Sequence, residues 1–289
     1  MLRRSLAIAA LLAAACTPAG DRSLATTGAR FAFNDPSRID TIGMPDLIVD
    51  EKSTENKWRI KTENLSANFC SVQEGGVTPG ERRLLRFTVT TPNQGDADVY
   101  IGDPNTHYEA NDGLYELATC HGHFHFDNYA EYALISASNG KVWRAAKQGF
   151  CMIDTDPWLP EYRDAPRNYY SCGAPGRPGF QGISKGWSDT YVWRLGGQYF
   201  VLDGGDGQKA VPEGWYYIQI TVNPAFAPDA SGCRRVTDPA TGLCHNFEES
   251  SYTNNVGRVK IYIPASGPAG PYRNEKDPTA AEEVEHSGQ

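Results

Sequence analysis

Tyr216-Tyr217-Ile218-Gln219-Ile220-Thr221-Val222, running on into Asn223-Pro224-Ala225-Phe226, is the stretch on which the fold turns. Tyr216, Ile218, Ile220 and Val222 alternate with Tyr217, Gln219 and Thr221. Successive side chains of a strand point to opposite faces, so this period of two marks a strand with one face in a core and the other in water. Working outward, Val259, Ile261 and Ile263 alternate with Lys260 and Tyr262, and Leu85, Phe87 and Val89 with Arg86, Thr88 and Thr90. The composition agrees: 29 Gly and 19 Pro among 289 residues, with 15 Tyr and 6 Trp, suit many short strands joined by turns and disfavour a helical bundle. The expected fold is mainly β, a β-sandwich core with long irregular loops in a single domain over residues 41–264. Two Gly/Pro-rich stretches, 154–186 and 225–250, interrupt the strands. Loops of that length inside a compact domain are uncommon and usually functional.

The two ends read differently. Arg3 and Arg4 precede an apolar stretch over residues 6–15, the layout of a secretory signal. Cys16 follows Ala13-Ala14-Ala15 directly, which resembles a bacterial lipoprotein signal whose cysteine is acylated. Ala13 stands where such signals favour Leu, so ordinary signal cleavage is the alternative. Residues 1–15 are therefore expected to be a signal peptide, 16–40 a lipoprotein tether and 265–289 a mobile tail. The protein is expected to be exported and held in the cell envelope, periplasmic or on the outer surface, by an N-terminal lipid anchor in the membrane, or secreted if Cys16 is not acylated. An oxidising compartment fits the cysteines. Of seven Cys, setting Cys16 aside leaves Cys70, Cys120, Cys151, Cys172, Cys233 and Cys244, an even number as disulfides require. The formal net charge of −8 and the lack of a basic stripe exclude nucleic acid as the expected partner.

Chemistry concentrates at Cys120-His121-Gly122-His123-Phe124-His125. The chain has six His, and His121, His123 and His125 fall within this one short string. On an extended strand residues i, i+2 and i+4 share a side, so the three imidazoles are expected to converge with Gly122 and Phe124 facing away. Imidazole suits Cu, Zn, Ni and Fe alike, and spacing alone does not choose among them.

The string Cys120-His121-Gly122-His123-Phe124-His125 resembles the copper-binding C-H-x-H-[YF]-H of the lysyl oxidase family. Other stretches resemble that family in the same order: Arg82-Arg83-Leu84-Leu85-Arg86-Phe87, Lys147-Gln148-Gly149-Phe150-Cys151 (K-x-x-F-C), Asp189-Thr190-Tyr191 (D-x-Y), the 216–226 strand and the Asn-rich loop over 249–256. The resemblance covers residues 44–262. It implies Cu(II) on His121, His123 and His125, and a lysine tyrosylquinone made from Lys147 and Tyr191, uncoupled in a copper-free precursor. It also implies oxidation of a primary amine or peptidyl lysine by O2 to an aldehyde, with release of H2O2 and ammonia. Animal members carry a His shortly after the copper motif as a candidate base. Glu131, in Tyr129-Ala130-Glu131-Tyr132, stands in its place, either as the general base or as a partner that orients a copper His.

The resemblance further implies a calcium site from Asp46, Leu47, Glu249, Asn254 and Asn255, hard oxygen donors that suit Ca2+. Ser251 stands where the family often has Asp, and a turn held by side-chain hydrogen bonds is the alternative. Trp187 and Gly197 occupy the positions of a family disulfide that this chain lacks. The resemblance pairs Cys120 with Cys172. Cys233–Cys244 reads as a local pair in an insertion, which leaves Cys70 with Cys151. The competing function is a non-enzymatic copper-binding envelope lipoprotein of the same fold, against which the presence of both Lys147 and Tyr191 argues.

Overall fold

In the computed structural model, which describes residues 39–145, 147 and 149–271, the strand Gly214–Val222 runs through the middle of a four-stranded antiparallel sheet. Its neighbours are Val256–Ile263 on one side and Ala130–Ser136 followed by Val142–Arg144 on the other. The alternation holds: Tyr216, Ile218, Ile220 and Val222 are buried, and Tyr217, Gln219 and Thr221 are half-buried. Val259, Ile261 and Ile263 extend the same apolar face. Each such side chain contributes about 1.5–3 kcal/mol on burial, and together they form one wall of the main core. Cys16, the expected signal peptide and nearly all of the tether lie outside the described residues, as does the tail beyond residue 271.

The molecule is mainly β, assembled from several small sheets rather than two large ones. Gly80–Phe87 lies between Trp58–Leu65 and Tyr199–Val201. Past Thr88 the chain changes partner, and Val89–Pro92 pairs with Trp187–Tyr191. The half-buried pattern expected here is overturned, because Arg86, Thr88 and Thr90 are buried along with Leu85, Phe87 and Val89. The reason is local. Arg86 is gripped by both oxygens of Glu63 at 2.6 and 2.9 Å and donates to the carbonyls of Trp193 and Leu195 at 3.2 and 3.1 Å. The loop after Tyr191 thereby covers the face that the pattern assigns to water.

The long 154–186 stretch carries short strands, Asp156–Pro157 and Gln181–Ile183, and a 3-10 turn, Pro160–Tyr162. It is organised by the fully buried carboxylate of Asp154, which accepts from the N–H groups of Asn168, Tyr169 and Ser184 and from the Ser184 hydroxyl. A buried carboxylate saturated in this way substitutes for the ladder the loop does not have. Beyond Ile263 the chain turns back, and Ala269 and Ile60 exchange backbone hydrogen bonds at 2.7 and 3.3 Å. The packed chain thus continues past residue 264.

Three disulfides are present, but two of the expected pairings are exchanged. Cys70 joins Cys120, and Cys151 joins Cys172, with Cα–Cα separations of 5.4 Å each. Cys120–Cys172 and Cys70–Cys151 are therefore wrong, while Cys233–Cys244 stands. The cause is the path of the 154–186 loop. Phe124 N–H donates to the Gly173 carbonyl, and Gln181 bridges the carbonyls of Phe124 and Cys172. Cys172 is thus drawn alongside Phe124, beyond Cys120, where Cys151 is its neighbour.

Candidate metal and amine-oxidation site

The histidines sit on a hairpin. Tyr115–Ala118 pairs with His123–Asp127, so that Glu116 faces His125 and Ala118 faces His123. The turn is closed by a 2.7 Å bond from Gly122 N–H to the Ala118 carbonyl, and Gly122 adopts φ +69, a conformation that favours glycine. His123 and His125 lie on the strand as expected, whereas His121 belongs to the turn. The turn nevertheless folds His121 back, and the three ring centres are 5.1, 5.2 and 5.5 Å apart.

Among the described residues no group of three or more His, Cys, Asp or Glu side chains is preassembled as a metal cage. The ring spacing still fits one ion: three imidazoles bound through nitrogen at about 2.0 Å would place their ring centres roughly 5 Å apart. Glu74 Oε1 lies 3.2 Å from His121 Nδ1, and Glu116 Oε1 lies 3.8 Å from His125 Nδ1. Neither approach is a formed hydrogen bond, since His121 Nδ1 is buried without a hydrogen-bond partner and 3.8 Å is beyond hydrogen-bond reach, but each carboxylate stands on the Nδ1 side of its ring. Burial lowers the proton affinity of His125, and the nearby Lys147 ammonium adds to the effect. A neutral imidazole is the form that binds metal.

Lys147 reaches the hairpin through the strand Gly149–Phe150, which pairs with the far edge of the histidine strand. Gly149 is dictated by this contact, since a Cβ there would meet His125 Nδ1 at 2.8 Å and Glu116 Oε1 at 2.9 Å. On its other side the Lys147 stem packs against Gly197, whose absent Cβ would lie 3.1 Å from that of Lys147. Lys147 lines a cavity of about 360 Å³ with Asn128, Glu131, Tyr132, Arg144 and Pro224. Tyr191 closes the far side of the same segment. Its ring meets Phe150 edge-on at 4.9 Å, and its phenol donates to the Cys151 carbonyl at 2.7 Å. Lys147 Nζ lies 5.8 Å from that same Phe150 ring. Burial, with Asp189 nearby, holds the Tyr191 phenol well above its usual titration range.

Glu131 shares the Lys147 cavity but is partly exposed and ion-paired with Arg144. The carboxylates that touch the histidines are instead Glu74 and Glu116, which sequence reasoning missed. Glu116 was findable, because a tight turn after Ala118 sets it opposite His125. Glu74, just past the short helix Cys70–Gln73, is tied to the hairpin by Cys70–Cys120 and left no such signal.

The match to a lysyl oxidase family model runs over residues 48–231, well over half of the chain and the whole of the histidine hairpin. The chain belongs to the lysyl oxidase family. It is 28% identical over 243 residues to lysyl oxidase homolog 2A of Danio rerio, covering 81% of this chain and 27% of that protein. It is 28% identical over 191 residues to lysyl oxidase homolog 3B of the same species, with coverages of 63% and 21%. Lysyl oxidase homolog 2 of Homo sapiens is 27% identical over 226 residues, with coverages of 75% and 24%. The chain thus spans about a quarter of the length of these curated relatives.

A second cluster of this lysyl oxidase family member joins the two ends of the domain. Glu249 accepts from Leu47 N–H at 2.6 Å and from the amides of Asn223 and Asn255 at 2.8 and 2.7 Å. Asn254 donates to Asp46 at 3.0 Å. Burial pushes the Glu249 carboxyl up to about 7 against these hydrogen bonds. All five residues expected around calcium are thus together, joined by hydrogen bonds. The amide oxygens of Asn254 and Asn255 are buried without a donor.

Proposed function

We propose that the protein is an exported copper-dependent amine oxidase that converts primary amines or peptidyl lysine to aldehydes with O2, releasing H2O2 and ammonia. The observation that carries this reading is the convergence of three chemistries on one short strand. Gly149 packs against the His125 ring, Lys147 bears electrostatically on that histidine, and Tyr191 seals Phe150 and Cys151. A pure metal-binding protein needs neither the lysine nor the buried phenol.

In this reading His121, His123 and His125 hold copper, with the Glu74 and Glu116 carboxylates beside two of the rings. Bound copper supplies the O2-dependent oxidation that turns a phenol into a quinone. Lys147 would contribute the amine and Tyr191 the ring of the lysine tyrosylquinone, and Phe150 and the Cys151 carbonyl hold that ring in a buried pocket. Glu131 sits where an amine entering the cavity meets a carboxylate, and its ion pair with Arg144 holds that carboxylate at the cavity wall. As base it takes the proton from the carbon beside the amine nitrogen.

Asp46, the Leu47 carbonyl, Glu249, Asn254 and Asn255 take Ca2+, a reading supported by the two amide oxygens that lack donors. The disulfides support export to an oxidising compartment, and Cys16 supplies the lipid anchor. The test is peroxide release from copper-loaded protein across monoamines, diamines and lysyl peptides, with a quinone-reactive stain run on wild type and Lys147→Ala. Peroxide and a stain lost in Lys147→Ala are expected. Stoichiometric copper with neither peroxide nor stain would leave a copper-binding lipoprotein instead.

A further inference from the structure

The water-facing side of the four-stranded sheet is not an ordinary polar face. Trp215 and Tyr262, paired across two strands, are 54% and 39% exposed and meet edge-on at 5.2 Å. Tyr217 is half-buried beside them, and the Lys260 ammonium lies 5.2 Å from the Trp215 ring and 5.9 Å from the Tyr217 ring. One row further along, Arg258 donates to Gln219 at 2.7 Å, with Arg144 in the same row across Ala133. The last row contains Thr221, opposite Val256 on one side and Glu131 on the other. Glu131 and Arg144 are also walls of the cavity that contains Lys147. The sheet face is therefore a floor that leads into the site.

Exposed Trp and Tyr beside Arg are the residue types enriched at interaction surfaces, and they dominate binding energy in them. The charge chooses the occupant. Arg144, Arg258 and Lys260 stand on this face of a chain whose net charge is −8; within those rows the only carboxylate is Glu131, already paired with Arg144, while at the margins Glu213 accepts from the Tyr262 hydroxyl and Glu51 from the Arg258 backbone N–H, which leaves the Arg258 and Lys260 side-chain charges uncompensated within the rows.

We propose that this face docks an extended, acidic stretch of the polypeptide substrate beside its reactive lysine; the proposal rests on the amine-oxidase reading and names its substrate class. With the lysine at the Glu131 row, an extended chain running along Gly214–Val222 places alternate side chains downward. Acidic residues two and four positions from the lysine meet Arg258 and Lys260, and an aromatic six positions away, about 20 Å along at roughly 3.3 Å per residue, meets Trp215 and Tyr262.

The experiment uses peptides with one lysine, Asp two and four positions away and Trp at the sixth, built in both chain directions. Companion peptides carry Ser or Arg in place of Asp. Binding is read by fluorescence anisotropy and oxidation by peroxide release, on wild type and on the double variant Arg258→Glu/Lys260→Glu. We expect wild type to prefer the Asp peptide over the Ser peptide by about tenfold, and the double variant to invert the preference towards Arg. The ratio between peptides is insensitive to a general loss of activity, and the melting temperature of the variant checks folding. Equal binding of all three peptides overturns the proposal. So does retention of a soluble neutral polysaccharide in their place, or self-association of the protein through this face, read as a change of mass on Trp215→Ala. Oxidation of butylamine by wild type tests the catalytic reading separately, since the binding arm reports on the platform whether or not turnover occurs.

Discussion

Gly149→Ala tests how the site is assembled. Gly149 has no positive φ, so the substitution introduces no backbone strain and its whole effect is steric. The new methyl would stand 2.8 Å from His125 Nδ1, 2.9 Å from His125 Cβ and 2.9 Å from Glu116 Oε1, closer than real Cβ contacts come. The strand cannot retreat freely, because Gly149 pairs with Asp127 and Phe150 with Phe126 in the same ladder. Overpacking of this kind costs about 1–3 kcal/mol. The cheaper relaxation is rotation of the His125 ring, which breaks its alignment with Glu116 and with the other two rings. Loss of such an outer contact lowers metal affinity by roughly 10–100-fold. Competitive copper titration and thermal melting of wild type and Gly149→Ala read both numbers. A variant with unchanged copper affinity and unchanged melting would refute the packing of Gly149 against the histidine hairpin.

Non-reducing peptide mapping is expected to find Cys70–Cys120, Cys151–Cys172 and Cys233–Cys244, and recovery of a Cys120–Cys172 peptide would contradict the loop path described above. Glu63→Gln is expected to cost about 3–5 kcal/mol in denaturant unfolding, because it leaves the Arg86 guanidinium buried without its carboxylate. Burial pushes the Glu63 carboxyl up, but Arg86 and Lys61 outweigh it and hold it below its usual 4.5. The stabilisation is therefore present above pH 4.5 and lost as pH falls through the lowered value, so wild type but not Glu63→Gln should show this acid-side loss. Asp154→Ala removes the acceptor of three buried backbone N–H groups and one hydroxyl. It is expected to cost more than about 3 kcal/mol and to expose the 154–186 segment to proteolysis first.

Much of the fold was legible because alternation is written directly into the chain. Tyr216, Ile218, Ile220 and Val222, and Val259, Ile261 and Ile263, face the core as their spacing says. The same logic failed at Arg86 and Thr88, because period-two reasoning assumes water on the polar face. There the covering layer is a loop over a hundred positions away in sequence, fastened by the hydrogen bonds that Arg86 donates to the Trp193 and Leu195 carbonyls. The histidine cluster was legible as a cluster, although His121 reaches it from a turn. The local Cys233–Cys244 pair was legible too, but the other two pairings were not, since they depend on which strand Cys172 runs beside, a fact held in the Phe124–Gly173 and Gln181 hydrogen bonds. The carboxylates behind the imidazoles were hidden for the same reason: side-chain partners across a fold follow from register and loop path, and not from local spacing.

The most direct test of the central claim is mass spectrometry of tryptic peptides from protein exposed to copper and oxygen. The account predicts one cross-linked species containing both Lys147 and Tyr191, absent from Tyr191→Phe and from copper-free controls. Full peroxide release from amines with Lys147 and Tyr191 recovered only as separate, unmodified peptides would contradict it.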